Sequence, residues 1–302
     1  MHEHGHSHNQ SIQFDSLNRA FVVGIVLNFL FVLIEFGSGI WLDSLALISD
    51  AGHNLSDVIS LIVALWAFRL MKKKPNEHFT YGYKKSSILA SLFNACVLLI
   101  AVGFIIAESV KKLNAPEPVE GDMIALVAGA GIVINALTAL LLMRYRKKDL
   151  NVKGAYLHMV ADTLVSVGVV ISGIIIGETG WYVIDPLIGI VIGVVILVST
   201  IGLLLSSLRL SLDGVPVGID ATEIKELMLD EDERIVDIHH IHIWAISTTE
   251  NALTAHVVVK SADDMEDVKC GIKHLLLHHQ ISHTTLEFEI EGDVKCDENE
   301  CD

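Results

Sequence analysis

The sequence predicts an α-helical membrane protein with six transmembrane helices, followed by a C-terminal cytoplasmic α+β domain. Three observations support this fold class. Of the 302 residues, 52% are hydrophobic and only 19% are charged, whereas soluble domains carry about 25% charged residues. The apolar residues gather in six runs, each about 20 residues long, which is the length that a spanning helix needs. The acidic residues gather after residue 212, where the apolar runs stop.

The six apolar runs define a transmembrane domain over residues 17–210, preceded by a His-rich cytoplasmic tail over residues 1–16. We predict spans at residues 19–39, 45–70, 86–109, 122–143, 154–176 and 185–207. The second and fourth connecting segments hold five Lys or Arg residues each, and the first and fifth hold none. Positively charged segments stay in the cytoplasm. Because the number of spans is even, both termini are expected there too. The short loops favour a bacterial inner membrane and leave an organellar membrane open.

The formal charge of −16 belongs to the last part of the chain. Residues 1–212 hold 15 acidic and 15 basic residues, whereas residues 213–302 hold 22 acidic and 6 basic residues. An acidic segment repels phosphate and attracts cations, so nucleic acid is not expected as a partner. The four cysteines do not show the spacing of a disulfide framework.

Two of the predicted spans carry the same ionisable motif, His-x-x-x-Asp. The second span contains His53 and Asp57, and the fifth contains His158 and Asp162. A spacing of four residues places both side chains on one face of a helix. Ionisable residues inside a membrane are expensive and usually functional. Two imidazoles and two carboxylates make a tetrahedral N₂O₂ set, which suits Zn²⁺.

One copy of this motif is also compatible with a hydrogen-bonded pair that stabilises a helix bundle. The second copy favours a shared metal site, because both copies lie near the middle of a hydrocarbon core about 30 Å thick. Counted at about 1.5 Å per residue from the cytoplasmic ends, Asp57 and Asp162 lie about 18 and 12 Å deep. We therefore expect the two carboxylates to approach each other most closely.

Other residues in the spans receive structural interpretations. Asn28 and Asn54 are expected to form hydrogen bonds between helices. Glu35 lies near the end of the first span and is expected to reach water. Gly189 and Gly193 predict close packing of the sixth span against a neighbour.

These motifs resemble those of the cation diffusion facilitator family, most closely its zinc, or cobalt–zinc–cadmium, efflux branch. The resemblance covers essentially the whole chain. It rests on the two His-x-x-x-Asp copies and on Asp50-Ala51-Gly52-His53, Tyr81-Gly82-Tyr83 and Asp185-Pro186. It implies a homodimer of six-helix protomers that exports Zn²⁺ in exchange for protons. The implied transport site consists of His53, Asp57, His158 and Asp162.

The chain departs from the family pattern at the start of the third span. The family usually has Tyr-Gly-x-x-Arg-x-Glu there, and this chain has Lys85 in place of the Arg and Ser87 in place of the Glu. A role for that Glu in cation uptake or helix contact is therefore not carried over to this chain.

Residues 211–302 predict a small cytoplasmic domain with the element order α-β-β-α-β. The elements are expected at residues 220–230, 235–247, 252–260, 263–279 and 284–291, with Asp220 and Asp263 as helix N-caps. Alternating apolar and polar residues support the second strand. This order fits a two-layer α+β domain, and it resembles the family's ferredoxin-like cytoplasmic domain.

The first strand of this domain is rich in histidine. Regular alternation places His239 on the same face as Ile241 and Ile243, with His240 and His242 on the opposite face. Histidines on an exposed strand face are also compatible with an ordinary role as solvated polar residues that bind no metal.

The resemblance implies that His239, His256 and His283 bind regulatory zinc, with Glu289 as a candidate carboxylate ligand. His278 lies in the last turn of the predicted second helix, where His interacts favourably with the helix dipole. We interpret it in that structural way.

Two terminal segments also contain metal-ligand residue types. The N-terminal tract, with histidines at positions 2, 4, 6 and 8, is either a weak metal-binding segment or a solvated tail. Cys296 and Cys301 lie in a charged tail with a spacing wider than that of usual zinc knuckles, and we interpret them as disordered rather than as ligands.

We therefore expect a proton-coupled exporter of Zn²⁺, with Cd²⁺ and Co²⁺ as further candidate substrates, and not an enzyme. Two alternatives stay open, a membrane-anchored zinc sensor and an intramembrane zinc metalloenzyme. An enzyme needs an open coordination position and a general base, whereas the spans supply four ready ligands without a His-Glu-x-x-His motif. A sensor does not need ionisable ligands inside its spans.

Overall fold

The structure, a computed structural model, describes residues 6–41, 45–114, 122–147, 149–181 and 183–292. The chain divides into two compact units, Met1–Ser207 and Leu208–Asp302. Six helices form the first unit. They are α1 (His6–Trp41), α2 (Leu45–Leu70), α3 (Ser86–Asn114), α4 (Asp122–Met143), α5 (Leu150–Thr179) and α6 (Ile184–Ser211), the last of which continues past Ser207.

The six helices lie where the sequence predicts the six apolar runs, and several extend beyond them. α1 begins at His6 and so includes part of the predicted tail, while α3 continues through two lysines to Asn114. Helices continue into polar sequence where nothing breaks them, and the lysines favour the negative end of the α3 dipole. Within the described residues, three stretches are long and apolar enough to cross a membrane, namely Leu17–Ser38, Ser86–Leu113 and Pro186–Ser211.

A buried apolar core packs α1, α2, α4 and α5 together. Two buried hydrogen bonds add polar links between these helices. Asn28 Nδ2 donates to Thr138 Oγ1 at 3.0 Å, which joins α1 to α4. Asn151 Nδ2 donates to the carbonyl oxygen of Ala64 at 2.9 Å, which joins α5 to α2. Such bonds are favoured in lipid, where a polar group has few other partners, and the predicted role of Asn28 is confirmed.

Two glycines on one face of α6 allow that helix to approach α3 closely. A Cβ atom added at Gly193 would lie 2.6 Å from Cγ1 of Ile106, and one added at Gly189 would overlap the side chain of Ser109. The predicted close packing at both glycines is confirmed. A larger residue at either position would require the facing side chain on α3 to move.

The second unit contains α7 (Ala221–Asp230), β1 (Ile235–Ala245), β2 (Asn251–Val259), α8 (Met265–His278) and β3 (Ile281–Ile290). The predicted order α-β-β-α-β is confirmed. The sheet has the order β1-β2-β3, with β1 antiparallel and β3 parallel to β2. Parallel neighbours require a crossover connection, which α8 supplies. Both helices pack on one face of the sheet around a single apolar core.

The two predicted helix caps have different outcomes. The Asp220 side chain accepts hydrogen bonds from the backbone N–H groups of Thr222 and Glu223, so it caps α7 as predicted. Asp263 does not cap α8. A short 3₁₀ turn, Ala262–Asp264, precedes that helix, and the Ser261 side chain caps the turn instead.

A β-bulge interrupts β1 in its histidine-rich segment. His239 pairs with His256 and His242 pairs with Thr254, so three steps along β1 oppose two steps along β2. The extra residue is accommodated at His240, whose φ of 47° lies in the left-handed region. The bulge separates His239 from the face of the core isoleucines, so the predicted regular alternation is wrong at this point.

Candidate metal centres

A buried group of ionisable side chains lies between α2 and α5. α2 supplies Asp57, and α5 supplies His158 and Asp162 one turn apart. His158 Nε2 lies 2.6 Å from Asp57 Oδ1 and 3.8 Å from Asp162 Oδ2. One ligand atom from each of the three residues lies within 4.8 Å of the other two. This spacing is compatible with a cation shared by the three side chains.

The surroundings of this group leave little of it exposed. Asp57 is 0% exposed and His158 is 5% exposed, while Asp162 is partly buried. Two carboxylates exceed the single positive charge that one imidazole can carry. Because a buried charge without compensation is expensive, the group favours a bound cation or bound protons.

Local packing holds α5 against α2 at this level. The hydrogen bond from Asn151 to Ala64 lies two turns before His158 along α5. The small residues Ala155 and Ala161 are buried on either side of His158, and Met159 is fully buried next to it. Small buried residues allow neighbouring helices to approach closely, which keeps the ligands of α5 near Asp57.

His53 lies one turn before Asp57 in α2, and its side chain lies outside the described residues. Its role as the fourth ligand stays a prediction. The sequence also predicts that the two carboxylates approach each other most closely, but the shortest described contact of the group joins Asp57 to His158. Counting residues gives only the depth along each helix, whereas helix rotation also determines which side chains meet.

Glu35 and Asn54 form a second buried polar contact, between α1 and α2. Asn54 Nδ2 donates to Glu35 Oε2 at 2.7 Å, so the predicted interhelical role of Asn54 is confirmed. Glu35 is 0% exposed, and the expectation that it reaches water is wrong. Since Asn54 directly follows His53, the contact anchors to α1 the turn of α2 that carries the predicted ligand.

A cavity of about 590 Å³ lies among α3, α5 and α6. Its wall is mainly apolar, and His158 of the buried group contributes to it. Glu108 and Lys112, which are exposed near the C-terminal end of α3, also line it. The cavity therefore offers a path between exposed charged residues and the buried imidazole.

The second unit contains another histidine group, on the sheet face opposite the helices. The ring centroids of His239, His240 and His256 lie 5.0–5.2 Å apart, and their ligand atoms lie within 4.8 Å of one another. Glu289 Oε1 lies 2.7 Å from His256 Nδ1 and 3.3 Å from His239 Nε2. The fold thus brings together three predicted ligands, and the bulge adds His240, which regular alternation places on the face opposite His239.

His283 is the predicted ligand that the sheet does not bring to this group. Across β2 and β3, His256 pairs with Glu287, whereas His283 pairs with Ala252. The two register positions on β3 are four residues apart, which corresponds to about 13 Å along a strand. His283 therefore shares a sheet face with His256 without being its neighbour.

Arg234 forms a separate charge network near the start of β1. Its guanidinium lies 2.7 Å from Asp232, 3.3 Å from Asp264 and 3.6 Å from Asp267. Hydrogen bonds from Arg234 lower the pKa of Asp232 to about 2, and the same contacts raise the pKa of Arg234. Because the guanidinium occupies these carboxylates, the network links β1 to the turn before α8 rather than providing a metal site.

The first unit combines apolar helices, a buried group of ionisable side chains that could hold a cation, and a cavity that reaches His158. These features define the class of membrane transport proteins, in which ionisable residues within helices mark ion pathways. Residues 21–210 match the cation efflux transmembrane domain. The chain belongs to the cation efflux family, also called the cation diffusion facilitator family, which is a family of transporters.

The chain is similar over nearly its full length to bacterial metal transporters. It is 36% identical over 293 residues to the cadmium, cobalt and zinc/H(+)-K(+) antiporter of Bacillus subtilis, covering 95% of this chain and 93% of the relative. It is 35% identical over 289 residues to zinc transporter ZitB of Escherichia coli, covering 95% of this chain and 92% of the relative. It is 36% identical over 288 residues to metal cation efflux system protein CzcD of Cupriavidus metallidurans, covering 95% of this chain and 90% of the relative.

Proposed function

We propose that this protein exports Zn²⁺ from the cytoplasm in exchange for protons, with Cd²⁺ and Co²⁺ as further substrates. The transported ion binds tetrahedrally to His53, Asp57, His158 and Asp162 between α2 and α5. The observation that carries this proposal is the convergence of Asp57, His158 and Asp162 in a buried group. The names of the relatives, which include a zinc transporter and an antiporter, agree with it.

Proton exchange follows from the chemistry of the ligands. Zn²⁺ binds to neutral imidazole and to carboxylate, so metal binding and proton binding exclude each other and are linked thermodynamically. Histidine changes its charge near neutral pH, which makes the exchange responsive to a physiological pH gradient. Protons that enter from the acidic side displace the metal there, and deprotonation on the cytoplasmic side prepares the site for the next ion.

The proposed topology places α1 to α6 across a bacterial inner membrane with both termini in the cytoplasm. The connecting segments after α2 and α4 carry the basic residues that stay inside. In this orientation the cavity between Glu108 and His158 leads from the non-cytoplasmic side to the transport site. The functional unit is a homodimer, with residues 1–16 as a tail and residues 17–210 as the transport domain.

Residues 211–302 form the cytoplasmic domain in this proposal, with a ferredoxin-like fold and a regulatory zinc site. The site consists of His239, His256 and Glu289, with His240 as a fourth ligand. The proximity of these four side chains supports it. Within one chain, the register position of His283 on β3 is distant from His256. His283 can therefore act as a ligand of this site only from a second protomer.

Flux measurements in proteoliposomes test the transport proposal. The purified chain is reconstituted, a pH gradient is imposed, and uptake of radioactive Zn²⁺ is followed with and without competing Cd²⁺, Co²⁺ and Mn²⁺. We expect uptake that requires the gradient, competition by Cd²⁺ and Co²⁺, and little competition by Mn²⁺, which prefers oxygen ligands. Gradient-independent binding without accumulation would instead indicate a sensor, and the absence of flux from a correctly folded chain would refute the export proposal.

A further inference from the structure

The exposed face of α8 carries two histidines that belong to neither metal group. The core face of this helix consists of Val268, Ile272 and Leu276. His274 lies two positions after Ile272, and His278 lies two positions after Leu276. Two positions correspond to about 200° around the helix, so both histidines point away from the core. Both are exposed, and they are one helical turn apart.

The geometry of this pair matches that of two ligands on one metal ion. His274 Nε2 and His278 Nε2 lie 3.3 Å apart, and the ring centroids are separated by 4.8 Å. Two nitrogens bound to one tetrahedral Zn²⁺ at about 2.0–2.1 Å lie about 3.3–3.4 Å from each other. We propose that His274 and His278 form a surface site for a divalent metal of borderline softness, such as Zn²⁺, Co²⁺ or Cu²⁺.

The contact also favours metal binding over charge stabilisation of the helix end. Two imidazoles can share a hydrogen bond only if at least one ring is neutral, so a nitrogen lone pair faces its partner. That lone pair is what a metal ion requires. The net charge of the surrounding segment, with 22 acidic and 6 basic residues over 213–302, further raises the local concentration of cations.

The site has two protein ligands, because within the described residues no third histidine, cysteine or carboxylate atom lies close to both rings. Water completes the coordination, and the exposed ion exchanges with the solvent. Cys270 lies one turn before His274 on the same face and is exposed. An ion held between His274 and His278 lies beyond its reach, which makes Cys270 a useful control.

Copper bound to the chelator iminodiacetate provides a direct probe, since this complex leaves coordination positions for two imidazoles. The full-length chain is freed of metal and titrated with the complex. Electron paramagnetic resonance counts the bound copper, and its nitrogen modulation distinguishes one imidazole from two. Compared with the wild type, we expect His274→Ala and His278→Ala each to lose one two-imidazole copper per chain. The double variant should lose the same single ion.

Two matched variants establish the identity of the pair. His279→Ala removes the adjacent histidine, and Cys270→Ser removes the nearest thiol, and both should bind as much copper as the wild type. Added Zn²⁺ should displace the copper that depends on His274. Equal binding in the wild type and His274→Ala, a loss in Cys270→Ser, or copper that Zn²⁺ cannot displace would each overturn the proposal. The other histidine groups contribute equally to all variants, and zinc flux should be unchanged in His274→Ala.

Discussion

The two candidate metal centres, one between α2 and α5 and one on the sheet, combine the same ligand types in different environments. Asp57, His158 and Asp162 lie in a nearly closed space, with Asp57 at 0% exposure. On the sheet, the side chains of His239 and His256 keep 25% and 20% exposure. Carboxylates outnumber imidazoles in the described part of the first group, and imidazoles outnumber carboxylates in the second.

Burial changes what each group requires. A buried, net negative group needs a positive charge at all times, so it exchanges one cation for another. Water reaches the partly exposed group on the sheet and solvates it when an ion leaves, so no second cation has to replace that ion. The comparison therefore predicts exchange of cations at the first group and reversible binding at the second.

The largest effect is expected from Asp162→Asn, which keeps the side-chain volume and removes the charge. Loss of a direct ligand should exceed the 10–100-fold effect that is typical of outer-shell changes, so zinc flux should fall by more than about 100-fold. Zinc uptake into proteoliposomes measures this fall in flux. Ser91→Ala serves as the control, because Ser91 is a buried polar residue that contacts Ser207 instead. Near-normal flux in folded Asp162→Asn would contradict the assignment of the site.

Binding at the sheet should slow amide hydrogen exchange in β1 and β2. At a free zinc concentration 100 times Kd, a single site stabilises the fold by about 2.7 kcal/mol, which corresponds to about 100-fold slower exchange. We expect this slowing in the wild type and its loss in His256→Ala. His242→Ala provides a control, since His242 is an exposed histidine of the same strand.

The same measurement on Asp57→Asn determines whether the two groups are independent. Slowing in β1 and β2 should persist in this variant, because the sheet group does not use Asp57. If the response to zinc disappeared, the division between an exchanging group and a binding group would be wrong.

A smaller effect is expected from His240→Gly. The left-handed backbone of His240 costs an ordinary residue about 1–2 kcal/mol, and glycine avoids this cost. In the presence of a chelator, the free energy of unfolding of the second unit should rise by about 1 kcal/mol, while its stabilisation by zinc should weaken. Hydrogen exchange in chelator and in zinc measures both. His242→Gly is the matched control and should lower stability, because glycine weakens an extended strand. Destabilisation by His240→Gly in chelator would contradict the strain at the bulge.

The smallest effect concerns the response of the second unit to acid. The pKa of Asp232 is lowered from 3.8 to about 2 by Arg234. Its contribution to stability is therefore fully present above about pH 4 and is lost as the pH falls through about 2. Thermal unfolding followed by Trp244 fluorescence, in a chain whose other tryptophans are replaced by Phe, should show this loss, and Asp232→Asn should flatten it. A wild-type loss centred near neutral pH would indicate that the histidines control stability instead.

Much of the fold follows from the sequence because hydropathy and spacing act locally. Apolar runs place the six helices, and the element order of the second unit follows from alternation and helix signals. The spacing of His158 and Asp162 places both ligands on one helix face without knowledge of the neighbours. Asp220 is recognisable as a cap because its side chain bonds only to adjacent backbone groups.

The remaining features depend on three-dimensional contacts that no local pattern contains. Glu35 lies near the end of an apolar run, yet the presence of Asn54 on the neighbouring helix keeps it buried. The bulge in β1 lacks the glycine that usually marks a left-handed position, so regular alternation assigns His239 to the face of the core isoleucines. The His274–His278 contact follows helical spacing, but only the rotamers show that the two nitrogens face each other.

The extra residue at His240 also keeps the side chains before and after it directed to the correct faces of the sheet. Ile238 and Ile243 both belong to the core, although they are five residues apart and an unbroken strand would direct them to opposite sides. Deleting His240 would therefore turn either the first or the second half of the strand inside out. A shortened chain would lose its hydrophobic core, whereas replacing His240 by another residue would remove only the imidazole. The position must be filled for the core to form, and the chain fills it with a histidine that lies beside His239 and His256.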